Sequence, residues 1–176
     1  MSDIDYAPPK PSNLTKESVY QLAESIGQQL GYSPGGDLGF IIKSIGGNIL
    51  YRDFWSDSDS GSLKVDAENN FQIYVANDTS LERDRFTIAH ELGHYVLHYL
   101  WPNRTPGNGP LKLKANRYGS DRAEWEANWF AAAFLMPEEK FRIEFSKRPG
   151  DFFTIAKVFG VSALAAQTRA KALNLT

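Results

Sequence analysis

The sequence predicts a mixed α+β domain in which helices outweigh a small sheet. Apolar residues recur at helical spacing in several segments, and three short runs carry the β-branched and aromatic residues of strands. Glycine, proline and polar clusters separate these segments. The 176 residues are enough for one domain with a proper core, and 42% of them are hydrophobic.

Residues 1–13, with Pro8, Pro9 and Pro11, are expected to form a flexible arm. Val19, Leu22, Ile26 and Leu30 then mark a first helix, for which Thr15 or Ser18 can supply the N-cap. Gly35 and Gly36 break the chain, and "DLGFIIKSIGG" reads as a second, short helix closed by glycines. Strands are expected at 48–54, 63–65 and 71–75, with "SDSDSGS" a polar loop between the first two and "AENN" a hairpin tip. Thr79 and Glu82 have the spacing of a capping box and predict a helix starting near Ser80, with Ile88, Leu92, Val96 and Tyr99 as its apolar stripe. The segment 101–120 is crowded with proline and glycine and is expected as a long loop, a candidate lid. "DRAEWEANWFAAAFLMP" predicts the next helix, stopped by Pro137, which opens another through Phe145. After Pro149-Gly150, two helices surround Gly160. The expected organisation is an arm at 1–13, a main domain at 14–148, and C-terminal helices at 149–176 packed on that domain.

Composition narrows the function. A net charge of -2 gives no global attraction to nucleic acid or an anionic membrane. The absence of cysteine excludes disulfides, thiolate ligands and cysteine nucleophiles, and fits a reducing cytoplasm. The N-terminus has no apolar signal-peptide core, and the apolar run 129–136 is too short to span a bilayer. A cytoplasmic protein with no membrane partner is expected.

All three histidines fall in "FTIAHELGHYVLHYLW", at His90, His94 and His98. Residues four apart on a helix share a face, so His90 and His94 can converge on one ion, and neutral imidazole suits zinc. Glu91, about 100° round from His90, flanks such a site, where a carboxylate can take a proton from water. This is the mechanical content of H-E-x-x-H. His98 lies two turns from His90, roughly 12 Å of rise, which tetrahedral coordination of one ion by both does not permit. Its role is left open between holding a ligand in place, touching substrate, and packing. Gly93 costs about 1 kcal/mol relative to alanine inside a helix, for which close approach of another backbone or of substrate would compensate. A third ligand is expected from "EWEANWF": Glu124 is preferred and Glu126 is its rival. Asn128, one turn beyond Glu124, is placed to orient a histidine. The bland alternative has Glu124 closing a capping box with Asp121. Ala127, Ala131, Ala132 and Ala133 would let this helix approach the histidine helix closely. For an oxyanion, His98, Tyr95 and Tyr118 are candidate donors.

"RDRFTIAHELGHYVLH", "EWEANWFAAAFLMP" and "IAKVFGVSALAAQTRAKALNL", in that order, resemble the ImmA/IrrE family of bacterial and phage metallopeptidases over roughly residues 38–175. The resemblance implies a zincin-like core, with a small sheet, the H-E-x-x-H helix and a second helix giving a glutamate. It implies His90, His94 and Glu124 as zinc ligands and Glu91 as catalytic base of a zinc endopeptidase. It further implies a protein substrate or cognate regulator, such as a helix-turn-helix repressor or an antitoxin-like partner, in transcription or stress circuits. It leaves the arm and the insertion after Trp101 unexplained.

Two other functions compete. Ala156, Gly160, Val161 and Ser162 are spaced as in a helix-turn-helix. From residue 141 onward six basic side chains face two acidic ones, and Gln167 and Arg169 are the residues suited to reading base edges. DNA binding is therefore weighed as the lesser alternative. The third possibility is a non-proteolytic regulator that sequesters its partner.

Overall fold

The computed structural model describes residues 6–53, 61–116 and 121–176. Helix α1 (Lys16–Gln29) starts at Thr15, whose hydroxyl accepts from the Ser18 amide at 3.1 Å. Helix α2 (Leu38–Ser44) is capped by Asp37 and leads into strand β1 (Gly47–Arg52). Strands β2 (Gly61–Val65) and β3 (Phe71–Ala76) form the expected hairpin. Its tip is locked by Asp66, whose carboxylate accepts from the Glu68 and Asn70 amides at 2.8 and 3.0 Å, and by Asn69 at φ 67°. The loop "SDSDSGS" lies mostly outside the described residues.

Helix α3 (Leu81–His94) begins at Ser80, whose hydroxyl accepts from the Arg83 amide. Thr79, expected as half of a capping box with Glu82, instead bonds Asp84 and the Ala76 carbonyl. The helix does not stop where proline and glycine predict a loop. It widens into a π-helical segment (Tyr95–Leu100) and ends as a short turn α4 (Trp101–Asn103), with the Trp101 amide bonding back to the Val96 carbonyl. The expected loop also contains strand β4 (Leu113–Asn116). The alternation of "LKLKA" is its signal: Leu113 and Ala115 are buried and Lys112 and Lys114 are not. Helices α5 (Arg122–Leu135), α6 (Glu138–Lys147), α7 (Phe152–Phe159) and α8 (Ala163–Ala172) complete the chain.

The sheet runs β1-β3-β2-β4, with β1 parallel to β3 and the other pairs antiparallel. The segment expected as a flexible arm is held from Tyr6 onward. Ala7 pairs in parallel with Leu113 on the β4 edge, its amide donating to the Lys112 carbonyl and its carbonyl accepting from the Lys114 amide, both at 3.0 Å. An unpaired strand edge is a row of vacant donors and acceptors, and here the N-terminal segment fills part of it. Residues 1–5 lie outside the described residues.

Apolar faces of the sheet (Leu63, Val65, Phe71, Ile73, Val75), of α3 (Ile88, Leu92) and of the π-helical segment (Val96) share one core, in which the Phe71 and Tyr95 rings stack 4.0 Å apart. Helix α5 packs on α3 and α1 in turn on α5. The closest point of the first contact is Gly93: a Cβ there would lie 3.1 Å from Phe130 Cβ and 3.2 Å from the Ala127 backbone. The small residues of both helices thus set the spacing that brings their polar side chains together.

Candidate metal centre

His90 and His94 come from the last turn of α3, and Glu124 from the first turn of α5. Asp121 caps α5 by accepting from the Glu124 amide at 3.2 Å, so the capping expected of this pair is made by backbone. The Glu124 side chain turns instead to the histidines. Its Oε2 lies 3.1 Å from His90 Nε2 and its Oε1 lies 3.0 Å from His94 Nε2, while the two Nε2 atoms are 3.1 Å apart. Among the described residues, these three form the group of metal-ligating side chains that could hold an ion. One ligand atom from each lies within 4.8 Å of the others, a spread that one ion can draw together. Arms of about 2.0–2.1 Å in a tetrahedron put neighbouring donors roughly 3.3 Å apart. The donor set, two neutral nitrogens and a carboxylate, is one that leaves a fourth position open.

The electrostatics differ between the two histidines. Burial, opposed by the bond to Glu124, holds His94 down to about 4, so it is uncharged at neutral pH. Burial opposes charge on His90 too, but its hydrogen bond to Glu124 and the charges of Glu91 and Glu124 outweigh this and raise it. Glu124 is partly buried, yet its bonds to both histidines hold it far below the usual carboxylate range. Glu91 is buried, 4% exposed, directly after His90.

Around this set, Asn128 Oδ1 lies 2.9 Å from His90 Nδ1, as its spacing from Glu124 predicts. Glu126 is not in the donor group. It points the other way, to Ser12, Asn13, Arg122 and His98. His98 lies between His94 and Glu126, at 2.9 and 3.0 Å. Of the three sequence candidates for an oxyanion donor, His98 is engaged in this way and the Tyr95 hydroxyl bonds the Asn69 carbonyl at 3.3 Å. Tyr118 lies outside the described residues. Ser12 and Asn13 were missed by sequence reasoning, and no local pattern marks them.

The C-terminal turn has the expected local features: Gly160 in the left-handed region at φ 64°, Val161 buried, and Ser162 capping α8. Arg169, expected as a base reader, is 1% exposed. It donates to the Met136 carbonyl, pairs with Glu24 at 3.2 Å and lies against the Tyr20 ring, so it is unavailable to a base edge.

Fold and site together define an α+β domain with a two-histidine, one-glutamate cluster suited to a metal. Residues 43–171 match the peptidase M78 family pattern, described as the IrrE N-terminal-like domain, and the chain belongs to that family. An uncharacterized immunity region protein of Bacillus phage phi105 is 33% identical over 78 residues, which is 44% of this chain and 45% of that protein. A Mycobacterium tuberculosis transcriptional regulator shares the fold with a TM-score of 0.63 at 19% identity, over 91% of this chain and 48% of its own. Each match covers less than half of the relative's length.

Proposed function

We propose that the protein is a zinc-dependent endopeptidase that cleaves a regulatory protein. The observation that carries this reading is the convergence of His90 Nε2, His94 Nε2 and a Glu124 oxygen, with Glu91 buried at its flank. His90, His94 and Glu124 would hold the zinc. When bound, the ion supplies Lewis acidity that brings the pKa of water to near 7 and polarises a carbonyl. Glu91 takes the proton from the attacking water and delivers it to the leaving amine, acting as base and then as acid. Asn128 holds the His90 ring, and Glu124 stays ionised as a ligand at any neutral pH. Asn128 also borders a groove of about 800 Å³ walled by Phe86, Trp129 and Leu164, which offers apolar support to an extended segment of substrate beside the histidines.

The substrate class rests on kinship: membership of the family, and relatives described as an immunity region protein and a transcriptional regulator. The direct test incubates a candidate partner, a repressor or antitoxin-like protein, with wild type and with Glu91→Gln. Wild type should cleave it, and Glu91→Gln, which keeps shape and zinc while removing the base, should be slower by about 100-fold or more. A variant that still suppresses the partner without cleaving it would make sequestration the function.

A further inference from the structure

Glu126 and His98 lie outside the donor set, yet both are buried, at 0% and 2% exposure. Glu126 accepts on both of its oxygens. Its Oε2 accepts from the Ser12 amide and hydroxyl, both at 2.8 Å, and Oε1 accepts from the Asn13 amide at 3.0 Å and Arg122 Nε at 3.1 Å. An ionised carboxylate only accepts, so the 3.0 Å contact with His98 Nε2 requires the hydrogen to sit on that nitrogen. The other ring nitrogen of His98, Nδ1, faces His94 Nδ1 at 2.9 Å. A metal on His94 Nε2 would take the lone pair of that nitrogen and leave the ring's one hydrogen on Nδ1, where His98 Nδ1 is placed to accept it.

We infer that Glu126 and His98 are positioning residues that hold the His94 ring in its ligating orientation, and that Ser12 and Asn13 make the N-terminal segment part of the metal centre by holding Glu126. The inference rests on the zinc reading above and extends it. It assigns His98 a role its spacing from His94 alone leaves open, and it couples Ser12 to a ligand 82 positions later by three hydrogen-bonded links. The π-helical widening that begins at Tyr95 carries His98 and contributes to setting the pose in which its ring meets both neighbours.

The test uses the full-length protein. Long-range ¹H–¹⁵N spectra of the zinc-loaded wild type at neutral pH report all three histidines of the chain. His94 should carry its hydrogen on Nδ1 and His98 on Nε2; a hydrogen on His98 Nδ1 overturns the assignment. Zinc affinity by chelator competition gives a second readout. His98→Phe, which fills the ring's space without its hydrogen bonds, should weaken zinc binding about 10–100-fold. His98→Gln, whose amide can accept from His94 and donate to Glu126, should recover most of that loss. Ser12→Ala should cost about 2–10-fold, one hydrogen bond's worth. A folded His98→Phe within about twofold of wild type counts against the positioning role, and an unchanged Ser12→Ala counts against the N-terminal coupling. If His98→Phe does not fold, the wild-type tautomers decide. A wild type that takes up no zinc at all sinks the metal reading itself, which is a different result from normal uptake with the wrong tautomers.

Discussion

His94 is bounded by polar side chains on both ring nitrogens, and these neighbours come from two distances along the chain. His90 and His98 are one turn away on its own helix, whereas Glu124 comes from another helix. The first kind of neighbour is legible in sequence because helical spacing is local and fixed. Glu124 was legible more weakly: its helix could be read, but two glutamates on it competed, and which one turns toward α3 depends on how the helices roll against each other. Glu126 faces Ser12 and Asn13, which lie 114 and 113 residues away and carry no motif. The rival to Glu124 is instead held by bonds from Ser12, Asn13, His98 and Arg122. Burial raises a carboxylate, but the bonds from His98, Ser12 and Arg122 hold Glu126 down at about 2. At this scale Glu91→Gln should leave zinc content and the melting temperature close to wild type while abolishing cleavage, measured by metal analysis and thermal melts on one preparation.

The α3–α5 contact is the element on which the site depends. Glycine at position 93 lowers helix propensity, and the compensation is visible in the 3.1–3.2 Å that a methyl group there would leave to Phe130 and Ala127. Gly93→Ala gains about 1 kcal/mol of propensity and incurs overpacking of roughly 1–3 kcal/mol against backbone that cannot yield. The expected net is a loss of up to about 2 kcal/mol in denaturant unfolding, together with weaker zinc binding because Glu124 moves away with α5. A stabilised variant with wild-type zinc affinity would contradict this packing. Helix α7 offers a pH test. Its cap Asp151 accepts from the Thr154 amide, and that bond holds the carboxyl below its ordinary 3.8. A lowered pKa means stability present above the ordinary value and lost as pH falls below it. Asp151→Ala should therefore melt earlier than wild type at neutral pH, with the gap closing below pH 3.8. The helices and the hairpin were readable from period and turn residues. Strand β4 was not, because four residues are too few to outweigh the surrounding prolines and glycines. The π-helical segment leaves no mark in composition, since it comes from tertiary packing rather than local preference.

Across the whole molecule, the C-terminal helices are joined to the peptidase-like core by buried contacts. Arg85 of α3 donates to the Gly160 carbonyl at 3.1 Å, to the Gly36 carbonyl at 2.7 Å and to the Tyr32 hydroxyl at 2.8 Å, tying the α7–α8 turn to the α1–α2 connection. Phe159 packs on Phe141, their ring centres 5.4 Å apart, and both are fully buried. Among the described residues no helix is long and apolar enough to cross a membrane. A chain ending at Pro149 would expose this shared core, so it should lose the cooperative thermal transition followed by circular dichroism. A cooperative melt with zinc retained would instead make the tail an independent module and reopen a nucleic-acid role for it. The central claim, however, is the metal centre, and metal content tests it most directly. Purified wild type should hold about one zinc per chain and Glu124→Ala essentially none, both remaining folded. A wild-type protein that neither carries zinc nor takes it up, or a Glu124→Ala protein that keeps its full complement, would contradict the account.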